Sequence, residues 1–163
     1  MINEINISFD KQKVIDEINT LQLKPGHSNN WWRAKTEESK KFWYKTDTWL
    51  KTIIKDTKDL HEIERLNSIF ESDIIYVYKQ LANSFLPRHR DYDVITAINL
   101  LLTDEVAPIT FDNGDEYYRN ALIDVSQIHS VKPHTKDRLL LKFAWHKKTF
   151  KEIKNELRKK CLI

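Results

Sequence analysis

Arg138-Leu139-Leu140-Leu141-Lys142-Phe143-Ala144-Trp145 is the stretch that decides how this chain folds. Read as a strand, it alternates faces, so Arg138, Leu140, Lys142 and Ala144 share one side while Leu139, Leu141, Phe143 and Trp145 share the other. If Arg138 points into a barrel, the fully apolar face points outward and requires a cover. A charged residue at the head of an apolar strand also requires a partner if it is buried, because an unpaired buried charge is costly.

Moving outward from that strand, the second half of the chain breaks into similar short pieces. Residues 74–78, 94–102, 107–111, 117–125 and 128–131 are β-branched or aromatic runs separated by turn residues. Asp112-Asn113-Gly114-Asp115 reads as a hairpin turn, since Asn-Gly tolerates positive φ. Residues 132–137 form a longer connection. Six or more closely spaced antiparallel strands preceded by helices imply an α+β, mainly β fold: a double-stranded β-helix (jelly roll) with N-terminal supporting helices and a C-terminal helix.

The cover for the apolar face is found at the front. Residues 5–9 alternate like a short strand, and Asp10 reads as the N-cap of a helix carrying Val14, Ile15, Ile18 and Leu21. A polar stretch with Trp31, Trp32, Trp43 and Trp49 follows, and then a second helical pattern through Leu60, Ile63, Leu66, Ile69 and Phe70. The front third is therefore expected to be mainly helical. The basic end of the chain carries Phe150, Ile153 and Leu157 at helical spacing, which predicts an amphipathic helix with its lysines in solvent. The expected organisation is a single domain over 1–163, with helical support and a substrate-side segment in 1–72, the β-helix core in 73–146 and the terminal helix in 147–163.

Composition sets outer bounds. A chain of 163 residues is one ordinary domain that can bury a core without staples. Its one cysteine, Cys161, excludes a disulfide framework within the chain and favours a reducing compartment. No run approaches the roughly 20 apolar residues of a membrane span, and the first residues do not form a leader pattern, so a cytoplasmic protein without a membrane partner is expected. The formal charge of +3 permits nucleic-acid binding but does not indicate it.

Four polar residues carry the chemistry. His89 and Asp91 stand in Leu86-Pro87-Arg88-His89-Arg90-Asp91; His129 lies in a later strand, and Arg138 follows nine positions on. Two imidazoles and a carboxylate can occupy one face of an octahedral ferrous ion and leave positions open for a co-substrate and dioxygen. His-x-Asp alone is weak evidence, and its bland alternative is a charged surface turn. The order of the motifs and their strand context raise its weight.

In that order and context, the region from about residue 74 to 145 resembles the Fe(II)- and 2-oxoglutarate-dependent oxygenases, whose double-stranded β-helix carries His-x-Asp, a distal His and a following Arg or Lys. The finer likeness is to small phage-type or bacterial hydroxylases near the prolyl and aspartyl/asparaginyl hydroxylase groups. The resemblance implies that His89, Asp91 and His129 are the catalytic metal ligands for Fe(II), that Arg138 pairs with the distal carboxylate of 2-oxoglutarate, and that O2 is consumed. It also implies that Tyr76, Tyr78 and Asn99 contact the co-substrate, although a buried Tyr or Asn is more often a satisfied structural residue. Arg138 is followed by Leu139 and Leu140 rather than by an Arg-x-Ser pattern, and Ala144 stands where the nucleic-acid demethylase branch carries a second arginine. Both departures turn the reading away from those two branches, and they leave the hydroxylated substrate unidentified: a protein or amino-acid side chain, a free amino acid or a nucleotide.

Other residues carry weaker signals. His134 and His146 read as exposed loop histidines, and His27 and His61 have no acidic or cysteine partner at metal spacing. Arg33, Lys35 and Arg88 are too ordinary as cations to decide anything. The early tryptophans could line a substrate groove, but core or lid packing is the commoner role. Two rivals stay open: a cupin-like metal-binding jelly roll with another activity, and a non-enzymatic interaction or nucleic-acid-binding domain in which the three ligand candidates never converge.

Overall fold

The structure is a computed structural model and describes residues 1–25, 37, 49–91, 93–104, 106 and 108–163. Its strands are β1 (Ile2–Glu4), β2 (Lys24–Pro25), β3 (Trp49–Ile54), β4 (Ile74–Gln80), β5 (Leu86–His89), β6 (Thr96–Leu101), β7 (Ile109–Phe111), β8 (Gly114–Glu116), β9 (Asn120–Asp124), β10 (His129–Val131) and β11 (Arg138–Trp145). Its helices are α1 (Lys11–Asn19), α2 (His61–Phe70) and α3 (Phe150–Lys159). Seven strands form one sheet in the order β1-β9-β6-β11-β4-β3-β2, and four form a second in the order β5-β10-β7-β8. The pairings are antiparallel. The result is a jelly roll, a double-stranded β-helix, with its helices outside the larger sheet.

β11 sits in the middle of that sheet, as its composition requires. It pairs with β4 from Arg138↔Gln80 to Ala144↔Ile74, and with β6 from Leu140↔Leu101 to Trp145↔Thr96. Its outward residues Leu141, Phe143 and Trp145 are fully buried. They pack in one cluster with Val14 and Ile18 of α1, Ile63, Leu66 and Phe70 of α2, and Ile153 and Leu157 of α3. At about 1.5–3 kcal/mol for each large apolar side chain removed from water, this outer layer is a major source of stability. The helices therefore cover the face that the alternation of 138–145 marks as apolar.

Each helix starts where a side chain can accept from its free N–H groups. Asp10 accepts from Lys13 N at 3.0 Å at the start of α1, and Thr149 and Glu152 form a capping box on α3. Leu60 cannot cap α2. Glu17 of α1 does so from a distance, its carboxylate accepting from Glu62 N at 2.8 Å and Ile63 N at 3.0 Å. Glu62 in turn accepts from Asp10 N and Arg65, and the Arg65 hydrogen bond holds its carboxyl down at about 2.

Three expectations need correction. The alternation of 5–9 is real, since Ile5, Ile7 and Phe9 all meet the outer core, but the strand is Ile2–Glu4. Its partner β9 begins at Asn120, whose carbonyl takes the last bond from Ile5 N, so nothing remains for later residues to pair with. The front third is also less helical than expected: β3 and β2 extend the large sheet beyond β4, and the β-branched Thr52, Ile53 and Ile54 suit that place. Of the Asn113-Gly114 pair, only Gly114 has positive φ, at 121°; it begins β8, and the two turn residues are Asp112 and Asn113. Trp31, Trp32 and Trp43, with His27, Arg33 and Lys35, lie outside the described residues.

Candidate metal centre

The interior between the two sheets is not uniformly apolar. Ala97, Ala121, Ala144, Ile109 and Phe111 form a small inner core toward one end, and Trp49 with Val131 forms another. Between them lies a cavity of about 260 Å³. His89, Asp91, His129, Arg138, Lys142, Tyr76, Tyr78 and Asn99 all line it.

Backbone pairing closes the sequence gap between the two histidines. His89 of β5 and His129 of β10 are direct partners on adjacent antiparallel strands, which brings their rings side by side at a tilt of 53° with centroids 4.4 Å apart. The neighbouring rung joins Leu86 to Val131, so β5 spends three steps where β10 spends two. That extra residue is a bulge, and it lies where Pro87 has no N–H to give to a ladder. A bulge also re-aims the side chains beside it. Asp91 follows His89 by two positions, and its backbone N–H bonds to Val125 O at 3.2 Å, tying this loop to the segment after β9.

Ligand-type atoms of His89, Asp91 and His129 all lie within 4.8 Å of one another, and His89 Nε2 is 3.3 Å from Asp91 Oδ1. The hydrogen bonds around the rings fix which nitrogen faces inward. His89 Nδ1 lies 2.7 Å from Pro87 O, and His129 Nδ1 lies 2.8 Å from Gln127 O. A carbonyl oxygen can only accept, so each Nδ1 must carry the proton and each neutral ring keeps its Nε2 lone pair free. This is the arrangement that metal-binding histidines use.

The charges agree with that role. Burial, reinforced by repulsion from His89, pushes His129 down to about 4, so the ring is neutral at pH 7. Burial alone would raise Asp91, but the Lys142 ammonium beside it outweighs burial and holds its carboxyl well below the usual carboxylate range. The donor set is thus two imidazoles with Nε2 turned inward and one carboxylate, matched to a divalent first-row metal. Among the described residues no other His, Cys, Asp or Glu group forms such a cluster. His134 and His146 lie apart from it; His134 Nδ1 accepts from Lys136 N, and His146 Nδ1 meets Asp93 O.

Arg138 lies on the wall of the same cavity and is 4 % exposed. Its Nη1 is enclosed and makes no hydrogen bond, and no carboxylate pairs with it among the described residues. A buried guanidinium held this way is a site for an anion, because a planar fork takes a carboxylate in two parallel hydrogen bonds. Asn99 Nδ2 donates to Tyr118 OH at 3.1 Å, while its Oδ1 has no partner. Tyr76 and Tyr78 stack with centroids 5.6 Å apart, and burial, with Asp93 and Asp91 nearby, raises the Tyr76 hydroxyl above its ordinary value.

All seven site residues expected from the sequence therefore face one cavity. Two others there were not expected. Lys142 bonds to Asp91 Oδ2 at 2.5 Å, and Trp49 donates its indole N–H to Phe85 O while edging against Tyr78. The signal for Lys142 was its spacing of four from Arg138 on a strand, which puts both on the inner face. That for Trp49 required knowing that 49–54 is a strand.

No protein-family model and no curated protein matches this sequence. Solved structures do match its fold. A 2OG-Fe(II) oxygenase family oxidoreductase from Burkholderia pseudomallei is similar with a TM-score of 0.51 and 8 % identity, covering 82 % of this chain and 76 % of that one. DMSP lyase DddQ from Ruegeria pomeroyi is similar with a TM-score of 0.50 and 11 % identity, over 77 % of this chain and 56 % of that one. An RmlC-like cupin protein from Desulfovibrio desulfuricans is similar at 0.40 and 16 % identity, over 60 % of this chain and 83 % of that one. At these identities the likeness is one of fold alone.

Proposed function

We propose that this protein is an Fe(II)- and 2-oxoglutarate-dependent dioxygenase that hydroxylates a protein or amino-acid side chain. The observation that carries the reading is the pairing of two features in one cavity: a His89–Asp91–His129 cluster with both Nε2 atoms turned inward, and a buried Arg138 with no counter-charge among the described residues. The first is a site for a metal with open positions, and the second for a carboxylate. A cupin-type site without a keto-acid co-substrate has no need of that enclosed arginine.

His89, Asp91 and His129 would hold ferrous iron, which with 2-oxoglutarate and dioxygen supplies the oxidising power to turn a C–H bond into an alcohol while the keto acid becomes succinate and carbon dioxide. The remaining work belongs to the chain. Arg138 takes the distal carboxylate and sets the direction in which the keto acid lies, a bidentate pair fixing orientation as well as charge. The Tyr76–Tyr78 stack and the orphaned Asn99 Oδ1 border the same space and can hydrogen-bond the co-substrate or the incoming group. The inner cores at both ends of the cavity limit water around the reacting atoms.

The test is an anaerobic titration of the metal-free protein with ferrous iron and 2-oxoglutarate, followed by the visible charge-transfer band of the chelate. The band should appear at one equivalent, vanish in His129→Ala and Asp91→Ala, and need much more 2-oxoglutarate in Arg138→Ala. A band of unchanged intensity in His129→Ala refutes the assignment.

A further inference from the structure

Lys142 is a buried, charged side chain of the cavity whose role the proposed activity leaves unexplained. It lies in the middle of β11 and the middle of the large sheet, with Tyr76 across one rung and Asn99 across the other. Its side chain is 8 % exposed, its Nζ lies 5.9 Å from the centroid of the Tyr78 ring, and it meets Asp91 Oδ2 at 2.5 Å. A lysine here gives up hydration and rotamer freedom, so the sequence must gain something specific from the contact.

The two oxygens of Asp91 face different partners. Oδ1 is 3.3 Å from His89 Nε2 and belongs to the ligand cluster, while Oδ2 is taken by Lys142. Asp91 stands on the segment after β5 ends, which ladder bonds do not pin as they pin the two histidines. Its backbone N–H bonds across to Val125 O, outside any strand ladder. The carboxylate plane is thus set by a contact from the rigid sheet opposite, and the engaged oxygen leaves one oxygen for a metal.

We propose that Lys142 is a positioning residue that clamps Asp91 by Oδ2, so that the carboxylate offers Oδ1 alone to the cluster before any metal arrives. The proposal rests on reading His89, Asp91 and His129 as a metal centre. Carboxylates that ligate metals are commonly held by an outer partner, and losing that partner typically costs 10–100-fold in metal affinity. Here the partner is a cation, whose repulsion toward a metal works the other way. The clamp outweighs that repulsion only if Asp91 would otherwise turn away from the histidines, and the sign of the effect therefore tests the idea.

The experiment titrates Mn(II) into metal-free protein without 2-oxoglutarate and counts the free ion by electron paramagnetic resonance. Wild type is compared with Lys142→Met, Lys142→Gln and Lys142→Arg, with His129→Ala as the control and circular dichroism melting run on each. Lys142→Met should weaken Mn(II) by roughly 10–100-fold. Lys142→Arg, which keeps the cation and a donor, should recover most of the affinity, and Lys142→Gln should fall between. Unchanged or tighter binding in Lys142→Met overturns the proposal, leaving the lysine a structural or charge-balancing residue. If that variant does not fold, unchanged affinity in Lys142→Gln overturns it equally. Failure of wild type to bind Mn(II), or equal binding by His129→Ala, removes the metal centre itself and the clamp with it.

Discussion

Replacing Arg138 with Met should make the metal-free protein more stable and useless to a keto acid, a combination that follows from how this arginine is buried. Met keeps an unbranched, flexible stem against the same walls, so packing changes little. What is lost is a guanidinium that is 4 % exposed with Nη1 making no hydrogen bond. An enclosed donor without a partner costs about 1–3 kcal/mol, and water in the cavity can relieve part of that. The lower half of the range, about 1–2 kcal/mol, is the expected gain. For a chain of 163 residues it corresponds to a rise in Tm of about 3–6 °C.

The order should reverse when ligands are added. A ligand at 100 times its Kd stabilises the folded state by about 2.7 kcal/mol, and only the wild type should receive this from 2-oxoglutarate with Mn(II) in place of the oxidisable iron. Differential scanning calorimetry of both proteins, with and without the pair of ligands, reads out the crossing. Two outcomes refute the reasoning. One is a metal-free Arg138→Met protein less stable than wild type, which means the arginine already has stabilising contacts. The other is an undiminished shift with 2-oxoglutarate in the variant, which means the carboxylate lies elsewhere.

Three further outcomes are expected. In the metal-free protein His129 is held at about 4 against an ordinary value of 6.5, so the unfolded chain takes up the proton first and stability should fall as pH drops from 6.5 to 4. The loss from this residue, about 3 kcal/mol at most, should disappear from urea melts of His129→Phe, and a pH profile identical in the two proteins contradicts it. Phe143→Ala should cost about 3–5 kcal/mol by chemical denaturation yet leave Mn(II) affinity intact below its Tm, because that ring is on the helix side of β11; weaker metal binding without lost stability reverses the assigned faces. Glu17→Ala removes the acceptor of the first N–H groups of α2 and should destabilise by about 1–2 kcal/mol, and a change under about 0.3 kcal/mol shows the cap to be dispensable.

The parts of this molecule that sequence reading reached are those written in local periodicity. β11 runs over the residues its alternation marks, and α1, α2 and α3 carry the apolar residues at the spacing that predicts them. Order and context brought His89, Asp91, His129 and Arg138 to one cavity. What was not legible depends on which strand lies opposite which. Residues 49–54 become a strand because β4 offers them an edge, and 5–9 do not because β9 has ended. Lys142 is the clearest case: its inward face follows from the alternation, but its contact with Asp91 depends on where a bulged strand of the other sheet ends, which no local pattern encodes.

That division has a thermodynamic side. A two-sheet sandwich ordinarily draws its stability from the layer between the sheets, yet here that layer is split by a cavity holding Arg138, Lys142, Asp91 and two histidines. Such an interior is affordable because the larger sheet buries a second apolar layer on its outer face, under helices tied together by Glu17 and Glu62. Along β11 the two demands alternate residue by residue: Leu141 and Phe143 hold the sheet to its helices, while Arg138 and Lys142 face the site. A substitution on the outward set should therefore lower stability and spare ligand binding, and one at the unpaired Arg138 of the inward set should do the reverse. Two variants, Phe143→Ala against Arg138→Met, put both arms of that statement into one strand. If both lose stability and binding together, the two layers are mechanically coupled, and fold and site are not separate along β11.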